Sequence, residues 1–251
     1  ESGVSWEITS ISGNWKSICF NSSMYVMVKL NNISYSTDLI NWTSVSATGD
    51  WIYVTYINSK FIAVGLNKIA YSPNGVNWNY VTLTGDWKSI SYLNNKYVVV
   101  GTNKISYSSN ITTWTNLTKS GDWNSICSGL DLFIVSSTDN ILYSKDGMNW
   151  TVIELLNSWT HIIYVYELGY YLLVSNKQLA MSKNGIDWQY QELNNCSYIS
   201  WSKKYACLLG LTSTNLISSK FMYPTNLNTV KKSDLITTKD SNIGILNNNP
   251  S

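Results

Sequence analysis

Tryptophans with polar neighbours recur at fixed spacing along this 251-residue chain and are its strongest candidates for chemistry. Trp51, Trp87 and Trp123 each follow a turn that ends in Gly-Asp. An aromatic ring offers an apolar face to the C–H surface of a sugar, and planar polar groups offer hydrogen bonds to its hydroxyls. We therefore predict carbohydrate-binding residues on one face of the fold: Trp15, Trp51, Trp87, Trp123, Trp159, Asp50, Asp86, Asp122, Asn67, Lys68, Asn103 and Lys104. The alternative, that the rings pack between repeats and the acids cap turns, stays open.

The composition excludes several other kinds of site. All 17 basic residues are Lys, and His161 is the single histidine. Without Arg the chain has no planar guanidinium to clamp a carboxylate or phosphate, and one His cannot build a histidine-based zinc site. A net charge of +2 leaves no electrostatic footprint for nucleic acid. No apolar run approaches the roughly 20 residues of a membrane span. We predict no catalytic residue, no cofactor and no metal.

The tryptophans form two series with a period of 36 residues. One series comprises Trp6, Trp42, Trp78, Trp114, Trp150 and, after a step of 38, Trp188; the other comprises Trp15, Trp51, Trp87, Trp123 and Trp159. Within each period, segments of four to six aromatic and β-branched residues alternate with Asn, Gly, Ser and Asp. This pattern is typical of short strands and tight turns, so each period predicts one four-stranded antiparallel sheet.

Small sheets of this kind bury their faces by packing side by side, which predicts an all-β propeller. Five complete repeats begin at the second tryptophan series, and a sixth begins near Cys196 but lacks its fourth strand. Trp6–Ser10 reads as that missing strand, so we expect a six-bladed ring over residues 1–220, closed by the N-terminal strand. Residues 221–251 lose the repeat and predict an extended polar tail or a linker to another module. Because the chain starts inside a turn, we expect it to be a fragment of a longer protein.

Five turns share the pattern Ser-x-(Asp/Asn)-x-x-x-Trp, as in Ser144-Lys-Asp146-Gly-Met-Asn-Trp150. This pattern resembles the Asp-box, the bacterial neuraminidase repeat of sialidases and other β-propellers. The resemblance covers roughly residues 1–220. It implies a structural role away from the ligand face, which fits the chemistry of a turn in which Asp or Asn accepts N–H bonds. The structural residues it implies are Ser36, Asp38, Trp42, Ser72, Asn74, Trp78, Ser108, Asn110, Trp114, Ser144, Asp146, Trp150, Ser182, Asn184 and Trp188.

The resemblance does not extend to sialidase catalysis. Sialidases bind the carboxylate of sialic acid with Arg residues and use a Tyr–Glu pair with an Asp acid/base. This chain has no Arg, and none of its five Glu residues lies beside a Tyr at a repeated inner-strand position. We therefore expect a non-catalytic member of the sialidase-like propellers.

The remaining reactive side chains predict no site. Cys19 and Cys127 occupy the same position in different repeats, while Cys196 and Cys207 lie on adjacent predicted strands where nothing requires a bridge. We expect four free thiols. His161 is expected to be a hydrogen-bonded strand residue.

These observations predict a non-catalytic recognition or adhesion module whose ligand is a cell-surface glycan. An Asn- and Lys-rich chain with such repeats is similar to propeller modules of bacterial surface proteins and phage tail-fibre adhesins. We therefore expect an extracellular, cell-surface or virion location, no nucleic acid, no membrane insertion, and further modules in a longer parent chain. A scaffold that binds a protein partner is the first alternative. A glycoside hydrolase with an unfamiliar carboxylate pair is the second, with Asp50, Asp86 and Asp122 as its only recurrent acids.

Overall fold

The computed structural model describes residues 11–138, 140–155, 157–193, 196–203, 206–212, 216–220, 235–237 and 243–246. Every regular element in these residues is a β-strand. None of them belongs to a helix long and apolar enough to cross a membrane. The chain divides into two compact units: the first comprises Glu1–Tyr92 and Tyr97–Ser120, and the second comprises Leu93–Lys96 and Gly121–Ser251.

The strands are β1 Ser17–Phe20, β2 Tyr25–Ser36, β3 Thr43–Ile57, β4 Lys60–Ser72, β5 Asn79–Leu93, β6 Lys96–Ser108, β7 Thr115–Gly129, β8 Leu132–Ser137, β9 Ile141–Ser144, β10 Thr151–Ile153, β11 Trp159–Val165, β12 Tyr170–Ser175, β13 Gln178–Ser182, β14 Gln189–Glu192, β15 Cys196–Ser202, β16 Cys207–Thr212, β17 Leu216–Lys220, β18 Leu235–Thr237 and β19 Ile243–Leu246. In the first unit, neighbouring strands follow chain order from β1 to β6. The second unit contains the part of β7 from Gly121 onward followed in order by β8, β9 and β10, the sheet β11-β12-β13-β14 and the sheet β15-β16-β17-β19-β18. The four-stranded antiparallel sheet predicted for each repeat is thus confirmed in the fifth.

Three strands are longer than the sequence predicts. β3, β5 and β7 each span 15 residues and join the last strand of one repeat to the first strand of the next. Within β3, Asp50 pairs with Leu30 and Ser46 pairs with Asn32, and a register shift between the two pairs absorbs the extra residues. The predicted loop between repeats is therefore a bulge within a continuous strand.

The second and third strands of a repeat are also continuous in the first three repeats. In each of these repeats one long strand (β2, β4 or β6) takes the place of two separate strands. The two strands are β8 and β9 in the fourth repeat and β12 and β13 in the fifth. Each contains an asparagine with left-handed backbone: φ is 57° at Asn31, 59° at Asn67 and 57° at Asn103. Asn tolerates this conformation better than most residues, so the chain can bend there without glycine.

Successive repeats pack face to face within each unit. In the first unit, Val26 and Val28 of the first repeat share a cluster with Trp51 and Phe61 of the second. In the second unit, a corresponding cluster joins the fifth and sixth repeats. We call the face that packs on the preceding repeat the leading face. The predicted side-by-side packing of repeats is confirmed within each unit.

The last sheet differs from the prediction. Cys196 opens β15 in place of a tryptophan, as the sequence predicts. The neighbour of β17 is β19, which pairs with it in parallel, so Ile243–Leu246 occupies the position predicted for Trp6–Ser10. An unpaired strand edge can accept any apolar β-prone segment, and Ile-Gly-Ile-Leu is one. Trp6–Ser10 lies outside the described residues, as does most of 221–251, where β18 and β19 are strands rather than the expected extended tail. Strand pairing within the sheets does not test closure into six blades, which stays a prediction.

Candidate functional site

Four of the five tryptophans that open the repeats are buried. Trp51 and Trp87 are 0% exposed, Trp159 is 1% exposed and Trp123 is 2% exposed. The indole N–H of Trp51 donates to the carbonyl of Ala47 at 2.8 Å, so its polar atom is satisfied within its own turn. The prediction that these four rings contact a ligand is wrong. The alternative is right, because the apolar body of the indole is placed in the core.

Trp15 is the exception among the opening tryptophans, since it is only half-buried. The ammonium Nζ of Lys29 lies 4.3 Å from the ring centroid of Trp15. One face of this ring therefore already holds a cation. A ligand role for Trp15 stays a prediction.

The turns before the opening tryptophans lie next to the bends at Asn67 and Asn103, as predicted. Side chains at these bends form hydrogen bonds to the backbone of the turns. Asn67 Oδ1 accepts the N–H of Gly85 at 3.0 Å. Lys68 Nζ donates to the carbonyl of Thr48 at 2.9 Å, and Lys104 Nζ donates to that of Thr84 at 3.0 Å. Asn103 also has an interaction partner. These side chains hold loops in place, and a ligand role for them stays a prediction.

The predicted acids remain at the surface. Asp50 is exposed, and Asp86 and Asp122 are half-buried. Asp86 Oδ2 accepts the hydroxyl of Thr102 at 3.2 Å, and Asp122 also has a partner. Their ligand role stays a prediction.

The five Asp-box-like turns have the geometry that their sequence pattern implies. In every one, the first serine hydroxyl bonds to the Asp or Asn two residues later, at 3.0 to 3.2 Å. In the fourth repeat, Asp146 Oδ1 accepts the N–H groups of Met148 and Asn149, each at 2.8 Å. Burial raises the pKa of Asp146, but these hydrogen bonds outweigh it and hold the carboxyl pKa well below its ordinary value. The turns act as structural clasps.

Two half-exposed tyrosines form a feature that the sequence reasoning missed. Tyr80 and Tyr190 lie on the fourth strands of the second and fifth repeats, and each is 48% exposed. Each stands directly opposite an alanine, Ala70 or Ala180. The ring of Tyr80 lies 6.2 Å from that of Trp51, and the ring of Tyr190 lies 6.3 Å from that of Trp159. A small residue and a buried indole thus support each exposed ring.

Polar side chains flank both tyrosines on the same side of the sheet, because directly paired residues of antiparallel strands share a face. The Lys68–Thr82 pair lies beside Tyr80, and the Gln178–Glu192 pair lies beside Tyr190. Partial burial raises the pKa of both tyrosine hydroxyls, so they stay protonated donors at neutral pH. One feature of the sequence could have pointed to these tyrosines. Only in these two repeats does a tyrosine follow an alanine by ten residues, at Ala70/Tyr80 and Ala180/Tyr190.

The remaining reactive groups form no cluster in the described part of the chain. No group of three or more His, Cys, Asp and Glu residues there could hold a metal ion. None of the four cysteines, all of which are described, forms a disulfide, as predicted, and burial raises the pKa of the Cys19 thiol to about 12. His161 is a buried strand residue, as predicted. However, its Nδ1 has no hydrogen-bond partner among the described residues, so the expectation of a hydrogen-bonded ring is wrong at that atom.

No model of a known protein family and no curated protein matches the sequence, so the Asp-box resemblance stays a prediction. Several solved structures are similar in fold. YCF48 from Cyanidioschyzon merolae has a TM-score of 0.62 at 14% identity, over 85% of this chain and 84% of its own. Hsv2 from Kluyveromyces lactis has a TM-score of 0.60 at 11% identity, over 85% and 75%. The computationally designed protein Ika8 has a TM-score of 0.61 at 7% identity, over 81% and 70%. Together with the repeated antiparallel sheets, these likenesses show a β-propeller fold.

Proposed function

We propose that the protein is a non-catalytic recognition module that binds glycans through Tyr80 and Tyr190. One observation carries this proposal: the same arrangement of exposed tyrosine, opposing alanine and buried tryptophan is built twice, in the second and fifth repeats. A β-propeller supplies the scaffold for a binding module, and its ligand contacts come from side chains that the repeat does not need for packing.

The chemistry around each ring suits a sugar. The exposed tyrosine face can stack on the C–H surface of a pyranose, with a gain of about 1 kcal/mol for the ring contact. Thr82 and Lys68 beside Tyr80, and Glu192 and Gln178 beside Tyr190, supply donors and acceptors for hydroxyl groups. A single site of this kind binds weakly. Two sites on one chain strengthen binding to a polysaccharide that reaches both.

The proposed setting follows from this ligand. We propose a cell surface or a virion, where glycans are displayed. We also propose that the repeats close into a six-bladed ring, on the support of the tryptophan period.

Affinity electrophoresis in gels that contain a soluble polysaccharide tests the proposal. The panel comprises yeast mannan, a β-glucan and a bacterial capsular polysaccharide. We expect at least one of them to retard the parent chain, Tyr80→Ala and Tyr190→Ala each to weaken binding by about three- to tenfold, and the double variant to migrate as if no polysaccharide were present.

The matched control is Tyr166→Ala, which removes an exposed tyrosine outside these sites and should leave retardation unchanged. Unchanged retardation of the double variant, or no retardation of the parent chain by the whole panel, contradicts the proposal. Release of reducing sugar that is lost on Asp50→Asn would contradict its non-catalytic part.

A scaffold that binds a protein partner is the second candidate function. It is favoured by an exposed surface built from turns of the fourth to sixth repeats, which shares no residue with the two tyrosine sites.

A further inference from the structure

The turns between the first and second strands differ among the repeats, and the difference singles out one surface. In the second and third repeats these turns are Asn58-Ser59 and Asn94-Asn95, with φ between 46° and 59° at all four residues. In the fourth repeat Leu130 takes the first place, with a φ of 50°. In the fifth repeat the turn lengthens to the four residues 166–169 between β11 and β12.

Leu130 is poorly suited to its position. A left-handed backbone disfavours leucine relative to the asparagines of the second and third repeats. The side chain is 62% exposed, so little burial offsets this strain. A strained conformation that the core does not require points to a role in binding.

Tyr166 is the second unusual residue of this region. Its side chain is 73% exposed, and it lies on a turn two residues longer than those of the second, third and fourth repeats. The turn is ordered, because the N–H groups of Leu168 and Gly169 donate to the carbonyl of Val165 at 3.2 and 2.8 Å. The ring of Tyr166 meets that of Tyr164 edge to face, with centroids 4.8 Å apart. An insertion in a single repeat often marks the binding face of a repeat protein.

Contacts between the fourth and fifth repeats hold Leu130 and Tyr166 in one rigid surface. The ring of Tyr164 packs so closely on Gly129 that a Cβ there would clash with it. The hydroxyl of Tyr171 donates to the carbonyl of Gly129. Gly129 directly precedes Leu130, and Tyr164 directly contacts Tyr166. The turns that carry the two exposed side chains are therefore held together.

An acidic residue directly follows each of these two residues in the chain, and each acid is paired with a lysine. Glu167 Oε1 lies 3.2 Å from Lys203 Nζ, and Asp131 Oδ2 lies 4.0 Å from Lys145 Nζ. We name Leu130, Asp131, Tyr166, Glu167 and Lys203 the turn surface. An apolar centre with a polar rim is the anatomy of a protein interface, and tyrosine is a frequent hot-spot residue. Balanced charge gives nucleic acid and anionic lipid no attraction, and a projecting leucine has no use in sugar binding.

We propose that the turn surface docks a protein partner through an apolar segment that packs around Tyr166 and Leu130. Because both side chains project from turns, the segment wraps around them. This inference goes beyond glycan recognition and is independent of it.

Selection of peptides from a random phage-displayed library against the full chain tests the proposal. We expect the selected peptides to carry apolar residues and to lose at least about tenfold in affinity on Tyr166→Ala and on Leu130→Asn. The Tyr80→Ala/Tyr190→Ala double variant should bind them as the parent chain does. The tyrosine double variant therefore tests glycan binding alone, and the Tyr166 and Leu130 variants test peptide binding alone.

Leu130→Asn is the decisive variant, since it restores the residue of the second and third repeats. We expect its midpoint of chemical unfolding to be unchanged or higher while peptide binding is lost. A lower midpoint would make Leu130 a structural residue and overturn the proposal. Peptides that bind Tyr166→Ala as tightly as the parent chain, or a library that enriches no peptide, overturn it as well. So does Tyr166-dependent cosedimentation with phosphatidylcholine–phosphatidylserine vesicles, which would identify a membrane contact instead.

Discussion

The side chain two residues after the opening tryptophan of a repeat contacts the first strand of the next repeat. Ser17 Oγ accepts the N–H of Val54 at 3.1 Å, and Ser125 Oγ accepts that of Ile162 at 3.4 Å. The fifth repeat has His161 at this position, and its ring stacks on Tyr198 with centroids 3.9 Å apart. Burial lowers the pKa of His161 from 6.5 to about 4, so the ring is neutral at pH 7.

We predict that His161 makes the fold sensitive to mild acid. Between pH 6.5 and about 4 the unfolded chain binds a proton that the folded chain does not, so stability falls as the pH falls through this window. The loss reaches roughly 3 kcal/mol below pH 4. Guanidinium unfolding at a series of pH values measures it. Asp38 and Asp146, whose carboxyl pKa values lie below the ordinary 3.8, add acid sensitivity only below about pH 4.

His161→Ser is the matched control, because serine stands at the equivalent position in the first and fourth repeats. This variant should lose the slope between pH 6.5 and 4. A slope that survives the substitution would assign the acid sensitivity to other groups. The sequence shows that the histidine is solitary, but not that its ring stacks on Tyr198, because the packing of two repeats creates that contact.

At the scale of elements, local contacts were predictable and distant contacts were not. The Asp-box-like turn is complete within a few residues: Ser144, Asp146 and Asn149 bond over separations of two or three positions. Its geometry could therefore be read from one short pattern. Lys68 instead bonds to Thr48, 20 positions away. A spacing pattern cannot tell such a bond from a free lysine that awaits a ligand.

The same limit explains the tryptophans and the tyrosines. The burial of Trp51 depends on side chains of the preceding repeat, so the sequence left packing and ligand binding as alternatives. Tyr80 and Tyr190 were missed because a linear pattern does not show which residue stands opposite a tyrosine in the sheet.

We predict that the Asp-box-like turns stabilise the fold through the acceptor oxygen and not through charge. Asp146→Ala removes the acceptor of two backbone N–H groups and should cost about 1 to 2 kcal/mol of the free energy of unfolding. Asp146→Asn keeps the acceptor, as Asn184 does in the fifth repeat, and should cost less than about 0.5 kcal/mol. Urea unfolding measures both. Equal losses in the two variants would show that the negative charge is what matters.

At the scale of the whole molecule, the leading face of the first repeat stands apart from the others. Ile18 is 55% exposed, whereas Val54 and Ile90 at the same repeat position are each 2% exposed. Leu39 is 37% exposed, whereas its counterpart Ile111 is 2% exposed. The repeat therefore places on this face the same apolar side chains that other repeats bury. The 36-residue period predicts that neighbouring repeats stack. It does not predict what packs on the leading face of the first repeat, because no repeat precedes the first one in the series.

Closure of the ring predicts that another repeat covers this face, and Ile18 can test it. If the face is covered, Ile18→Asn buries an amide without partners and should cost about 3 kcal/mol of the free energy of unfolding, the cost that we also expect for Ile90→Asn. Ile40→Asn is the exposed control: its side chain is 72% exposed in a turn, and its cost should stay within about 0.5 kcal/mol. We expect Ile18→Asn to match Ile90→Asn, since an apolar face of this composition gains by being covered. A cost that matches Ile40→Asn would mean that the leading face stays open to solvent and that the six-bladed ring is wrong.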